Sequence, residues 1–447
     1  MITANHRQNQ PVLTIFFQLD PFNPTIGGIQ TCIKYILKYA PRAFHIQLVG
    51  IALGRADAQG SQSVVGQWQS VDLYGREFDF LPLLRIEDDN TRRLIPTTVK
   101  YALALRKYLK RHSITSDFYQ FHRIEPTVFT QGLSGIKLLY IHNDIYQEVK
   151  GQQKGGILWK RFPWAYFALE RQLVGQFDRI LSCNSKSTQL YQQQYPDIAE
   201  RVSYLRNTFD GELFYPPTAQ QRDGLRTQLA QKLHLPRATR FILFAGRLHP
   251  QKQPDLLIQT MAQLKHQGED VSTHLLIVGK GEMEEAIKED IERLGLRSHV
   301  SLLGSLPQSK LADLYRTCDL FALTSAYEGL ARGSLEALAC GTPVVTTRAG
   351  ETPSFLEEDS GLVSGNTPEA IAQAWQQILQ NHQAFPGEAC ARVAQPYEAR
   401  RVVTTLYGDL LTQWQKPDND CCAQVSTQNL THTNAQKTDD SLLPVRE

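Results

Sequence analysis

Residues 12–19 form an apolar run rich in branched and aromatic side chains, a Pro/Asn/Gly stretch follows, and apolar positions then recur at helical spacing over 30–39. That is strand, loop, helix. Further strand-like runs lie at 45–52, 118–121, 137–142 and 179–183, separated by helical patterns such as 97–111 and 164–176. Short apolar strands alternating with helices predict a parallel sheet with helices on both faces. The alternation breaks over 207–240, where Pro216, Pro217 and Pro236 surround a short polar helix, and this stretch reads as an interdomain connection. A second series of buried-strand patterns follows at 241–245, 274–278, 299–303, 320–324 and 343–347. The expectation is two Rossmann-like, doubly wound α/β domains, at 11–206 and 241–385. Within 386–416, a helix over 399–414 carries Val402, Val403, Leu406, Tyr407, Leu410 and Leu411 on one face, a stripe that needs a partner. Residues 1–10 read as a flexible leader and 417–447 as a polar, disordered tail.

The length of 447 residues agrees with two domains, since single cores stop growing at roughly 250–300 residues. Composition is that of an ordinary globular chain, 42% hydrophobic and 21% charged. A formal charge of +2, from 47 Lys+Arg against 45 Asp+Glu, gives no field to draw in a polyanion, so no nucleic-acid partner is expected. The seven cysteines are scattered without CxxC pairs, which reads as a reduced set in a cytosol. The polar N-terminus and the lack of a roughly 18-residue apolar stretch argue against secretion and membrane insertion. A cytoplasmic location is expected.

In an open doubly wound sheet, ligands bind beyond the carboxyl ends of the strands. The loop after 241–245 reads Gly246-Arg247-Leu248-His249-Pro250-Gln251-Lys252, two cations five positions apart that could clamp a diphosphate. Standing alone, they would be two solvated loop charges. After 320–324 comes Tyr327-Glu328-Gly329-Leu330-Ala331-Arg332-Gly333, and 334–340 reads as a helix of small and apolar residues whose start favours an anion. Glu336 is expected in its first turn, with Glu328 before it. Two carboxylates beside a phosphate site make sense if they accept hydrogen bonds from ribose and hexose hydroxyls. Gly279-Lys280-Gly281 is either a third anion loop or a turn.

Together these residues resemble glycosyltransferase family four, retaining enzymes of the GT-B fold, over about 12–414. The strongest part is the family's Glu-x7-Glu element, matched by Glu328 and Glu336 within EGLARGSLEALACGTPVV, with GRLHPQK before it. The resemblance implies two domains facing across a cleft and a C-terminal helix crossing back to the first. It implies Arg247 and Lys252 on the donor diphosphate, Glu328 on the sugar, Glu336 on the ribose, and amides of Gly329, Leu330, Ala331 and Arg332 toward phosphate and sugar. In the first domain, Gly27 and Gly28 match the family's glycine loop, His142 the histidine placed against the donor sugar, and Asn207 a hinge asparagine. His122 and Arg123 are expected on the acceptor side. Two departures stand out: Ala331 where the family commonly has glycine, so that a methyl group would narrow the approach to the sugar, and Arg332 where it has an apolar residue.

The implied activity is transfer of a hexose-type sugar from a UDP- or GDP-sugar to a hydroxyl of a glycan, a lipid-linked sugar or a small acceptor. A lipid-linked acceptor is compatible with peripheral association at the inner face of the membrane. No cofactor or metal is expected, because no Asp-x-Asp cluster sits on a strand-end loop. The base region, around 300–306, would act through backbone and leaves uridine and guanosine open. The competing readings are a sugar-nucleotide epimerase of the same fold and a non-catalytic subunit; a dehydrogenase is disfavoured by the lack of G-x-G-x-x-G after 12–19.

Overall fold

The computed structural model describes residues 10–23, 27–54, 63–86, 96–142, 163–266 and 273–415. Most of the leader and the tail therefore lie outside the described residues. The first sheet has eight strands, β1 (Val12–Phe16), β2 (His45–Leu53), β3 (Gln69–Leu73), β4 (Arg76–Ile86), β5 (Phe118–Phe121), β6 (Ile136–Ile141), β7 (Arg179–Ser182) and β8 (Val202–Tyr204), in the order β3-β4-β2-β1-β5-β6-β7-β8. All pairings are parallel except β3 with β4. That hairpin, absent from the sequence reading, turns through Tyr74 and Gly75 with φ of 58° and 68°, the positive angles a two-residue hairpin loop needs.

The second sheet is wholly parallel: β9 (Arg240–Ala245), β10 (Thr273–Val278), β11 (Val300–Gly304), β12 (Leu320–Leu323), β13 (Val344–Thr346) and β14 (Gly361–Val363), ordered β11-β10-β9-β12-β13-β14. Strand order reverses between β1 and β5 in the first sheet and between β9 and β12 in the second. Crevices open at such points, because the flanking loops leave toward opposite faces. The Arg247–Lys252 and Glu328 loops flank the second crevice; Gly28 and His122 flank the first.

The chain crosses between the domains twice, and the crossings are clasped together. Phe209 N–H donates to the Tyr397 carbonyl at 3.2 Å, and Ala399 N–H donates to the Phe209 carbonyl at 2.8 Å. Beyond that clasp the helix Ala399–Gln415 buries Ala399, Val403, Tyr407 and Leu410 in the first domain's core beside Ile33, Ile36 and Phe44. The apolar stripe thus finds its partner. Lys38 of the first domain reaches Asp210 at 2.8 Å and Glu212 at 2.7 Å, and Tyr39 Oη donates to Asp210 at 2.5 Å, fixing the joint.

The stretch before β9 contains the helix Ala219–Lys232, closed by a Thr218/Gln221 capping box. Its Arg226 anchors it to the second sheet through Asp319, which is 1% exposed and also accepts from Arg240 Nη1 at 3.2 Å and Phe241 N–H at 2.8 Å. Replacing Asp319 by alanine leaves the guanidiniums of Arg226, Arg240 and, at 3.9 Å, Arg222, together with the Phe241 amide, facing a void. The second domain should lose about 3–5 kcal/mol, the cost of breaking a buried ion pair, read as a lower urea midpoint for that domain; a loss below about 1 kcal/mol, typical of exposed pairs, contradicts the assignment.

Candidate active site

The Arg247–Lys252 loop is held from below by two glycines. A Cβ at Gly279 (φ 134°) would lie 1.8 Å from the Gly246 carbonyl oxygen, and one at Gly281 would lie 2.2 Å from that of Leu248. Gly279-Lys280-Gly281 is therefore a close-packed support for the neighbouring loop, with Gly246 N–H donating to the Val278 carbonyl at 2.9 Å and Leu248 N–H to that of Lys280 at 3.1 Å. Lys252 closes a single 3-10 turn, Pro250–Lys252, and Thr324 Oγ1 donates to its carbonyl at 2.9 Å. Lys252 Nζ bonds the Glu328 carboxylate, which also accepts from Ser325 Oγ at 3.1 Å. Arg247 is exposed, with no ion-pair partner among the described residues.

After β12 the chain turns through Glu328 and Gly329 into the helix Arg332–Ala339. Ala331 caps its start with no side-chain acceptor, and with the Ser334 N–H bonded to the Ala331 carbonyl at 3.2 Å, the N–H groups of Arg332 and Gly333 are left for an external anion. Gly350 (φ 78°) braces the turn: a Cβ there would stand 2.4 Å from the Gly329 carbonyl oxygen and 2.8 Å from Glu328 Cβ. Gly333 lies tightly over Phe321 and Tyr315, at 3.0 and 3.1 Å from an added Cβ.

Three expectations need correction. The helix begins at Arg332, so Glu336 lies in its second turn and is 6% exposed; it is no first-turn surface acid. Burial raises its carboxyl to about 7, against the lowering effects of the Arg332 charge and the Tyr315 hydroxyl. Ala331 is buried in the second domain's core with Leu330 and Leu335, so its methyl group does not narrow the cleft. His122, expected on the acceptor side, is 3% exposed and bonded through both ring nitrogens, to Gln120 and His142 at 2.7 Å each. It touches His142 instead of the cleft. Arg123 is partly exposed, 3.9 Å from Glu125.

The domains meet at this point. Arg332 Nη2 donates to the Gly28 carbonyl at 3.0 Å and to Asn207 Oδ1 at 3.5 Å, while Asn207 Nδ2 donates to the Leu330 carbonyl at 3.0 Å. The helix that offers amides to an anion is thus tied to the first domain's glycine turn and to the hinge. Arg332, which the sequence left unassigned, has a place: it spans the cleft floor. His142 closes β6, and burial together with the charges of Arg332 and Arg123 lowers its ring to about 3. Glu351 was missed altogether; its carboxylate takes Ser185 N–H and Tyr204 Oη across the domains, the latter at 3.2 Å.

Residues 226–395 match the family model for glycosyl transferases group 1. That region is a group 1 glycosyltransferase domain. A D-inositol 3-phosphate glycosyltransferase of Corynebacterium glutamicum is 30% identical over 216 residues, 47% of this chain and 51% of that protein. One from Streptomyces coelicolor is 27% identical over 252 residues, covering 53% and 55%. The chain spans about half the length of the curated relatives it matches. Among solved structures, sucrose-phosphate synthase of Thermosynechococcus elongatus superposes over 91% of this chain and 99% of its own with a TM-score of 0.69 at 18% identity. Anabaena HepE, solved with UDP-glucose, does so over 90% and 100% at 0.64 and 19%. These likenesses establish the GT-B arrangement of two Rossmann-like domains. The Glu-x7-Glu pair and both loop cations fall inside the group 1 domain.

The raised carboxyl of Glu336 sets a pH signature. The folded protein keeps a proton that the unfolded chain releases in the ordinary carboxylate range, so this stabilisation is full at low pH and is lost as pH rises through about 7. Glu336→Gln should therefore melt progressively higher than the parent between about pH 4 and 7, following the usual glutamate range. A melting difference that does not change with pH contradicts the raised carboxyl.

Proposed function

We propose that the protein is a retaining glycosyltransferase that moves a hexose-type sugar from a UDP- or GDP-sugar to a hydroxyl of a glycan, a lipid-linked sugar or a small acceptor. The observation that carries this reading is the Lys252–Glu328 ion pair beside an uncapped helix start and the unpartnered Arg247. A diphosphate arriving there supplies Lys252 with a stronger anion and frees the Glu328 oxygens. Those oxygens then accept from hydroxyls of the transferred sugar, while Glu336 accepts from the ribose. Support comes from relatives named D-inositol 3-phosphate glycosyltransferase and from HepE, solved with UDP, with UDP and glucose, and with UDP-glucose.

Charge neutralisation at the leaving diphosphate falls to Arg247, Lys252 and the amides at the start of Arg332–Ala339, without a metal ion. Glu328 is assigned to sugar hydroxyls and the low basicity of His142 unsuits it as a general base. The leaving phosphate takes the acceptor proton as the new bond forms on the face the phosphate leaves, which retains the anomeric configuration. Gly28 and His142 form the first domain's wall of the donor site, with Arg123 toward the acceptor. Among the described residues no helix is long and apolar enough to cross a membrane. We place the reaction in the cytoplasm, at the inner membrane face when the acceptor is lipid-linked.

Lys252→Ala should weaken binding of the nucleoside diphosphate by about 1.5–3 kcal/mol, the worth of a charged hydrogen bond, or roughly 10- to 100-fold in Kd by calorimetry. Transfer should persist in chelator. Nuclear magnetic resonance of the first product should show the donor's anomeric configuration. Unchanged affinity in the variant, chelator-sensitive turnover restored by a divalent ion, or an inverted anomeric signal each contradicts the corresponding assignment.

A further inference from the structure

Two buried strands each carry a polar side chain followed two positions later by a histidine just past the strand end: Gln120 on β5 with His122 after it, and Tyr140 on β6 with His142 after it. Alternation places residues i and i+2 on the same side of the sheet. Tyr407, from the helix that crosses back from the second domain, lies over them. The result is one continuous hydrogen-bonded chain. Tyr140 Oη and Tyr407 Oη are 3.2 Å apart, Tyr407 Oη donates to Gln120 Oε1, Gln120 Nε2 lies 2.7 Å from His122 Nε2, and His122 Nδ1 lies 2.7 Å from His142 Nε2.

The donors fix the direction of this chain. Tyr407 gives its proton to Gln120 Oε1, so its remaining lone pair accepts from Tyr140. An amide nitrogen only donates, so His122 Nε2 is an acceptor and its proton sits on Nδ1. His122 therefore donates to His142 Nε2, and the proton of a neutral His142 must sit on Nδ1. Both rings are held neutral, burial being the main cause of their lowered basicity. His142 Nδ1 has no partner among the described residues, and the ring lines a small recess shared with Arg206 and Asn207 at the hinge.

We propose that Tyr407, Gln120 and His122 form a proton-ordering relay that locks His142 as an Nδ1–H donor toward an oxygen of the bound donor sugar. The three are positioning residues, and the crossover helix sets the tautomer of a side chain in the cleft. Imidazole in the opposite tautomer would turn a lone pair toward the sugar, and hydroxyl donors held by Glu328 would then have to reorient. The identity of the ligand rests on the glycosyltransferase reading; the tautomer does not.

The test uses the full chain labelled with nitrogen-15 at histidine, with the His142 resonances assigned by their loss in His142→Gln. Long-range nitrogen–proton correlation should show His142 protonated at Nδ1 and bare at Nε2. In Gln120→Met, of nearly the same volume but without a donor, His142 should populate both tautomers, and turnover with a donor sugar should fall roughly tenfold in kcat with less change in KM, as for one hydrogen bond lost in the transition state. Tyr407→Phe, which removes only a hydroxyl, gives the same readouts should Gln120→Met fail to fold. His142 protonated at Nε2 in the parent protein overturns the relay, as does a variant that retains both the parent tautomer and the parent kcat. An Nδ1–H signal in a protein that transfers no sugar supports the relay and removes the proposed function instead.

Discussion

The proposed donor site depends on one ion pair, which an arriving diphosphate would open. Lys252 and Glu328 neutralise one another across the second domain's crevice while no anion is bound. Both side chains are largely buried, 18% and 14% exposed, so Glu328 can leave the lysine only if another anion, the diphosphate of the proposed donor, takes its place. The exchange performs two tasks at once. On the proposed reading it brings the lysine onto the leaving group and releases a carboxylate for sugar hydroxyls.

The rest of the fold keeps that exchange in register. Gly279, Gly281 and Gly350 allow three loops to pack so closely that a methyl group on any of them would collide with backbone or with Glu328. Arg332 and Asn207 bind the helix start to Gly28 and the hinge. The paired crossings at Phe209 and Ala399 let the domains share one joint. Closure of such a joint on the proposed donor would exclude water and limit hydrolysis.

Much of this was legible in the sequence, for identifiable reasons. Continuous apolar runs such as 241–245 and 118–121 marked parallel strands because both faces of such strands are buried. β3 and β4 escaped notice because charges at Glu77, Asp79 and Arg85 interrupt the run, and β14, Gly361–Val363, is too short to show a period. Glu336 was placed a turn too early, since small residues around Ala331 hide where a helix begins. Arg332 and Glu351 were unreadable because their partners lie in the other domain. Gln120, His122, Tyr140 and His142 did leave a trace: polar side chains two apart, one near the end of each buried strand and a histidine just past it.

The central claim is that both domains hold one donor, with the amides at the start of Arg332–Ala339 on its diphosphate. Hydrogen exchange with and without UDP- and GDP-sugars tests it most directly. A bound sugar nucleotide should slow exchange in three places together: 246–253, 328–334 and the first turn of Gly28–Tyr39. Binding that leaves 328–334 unprotected, or that protects the second domain alone, would contradict it.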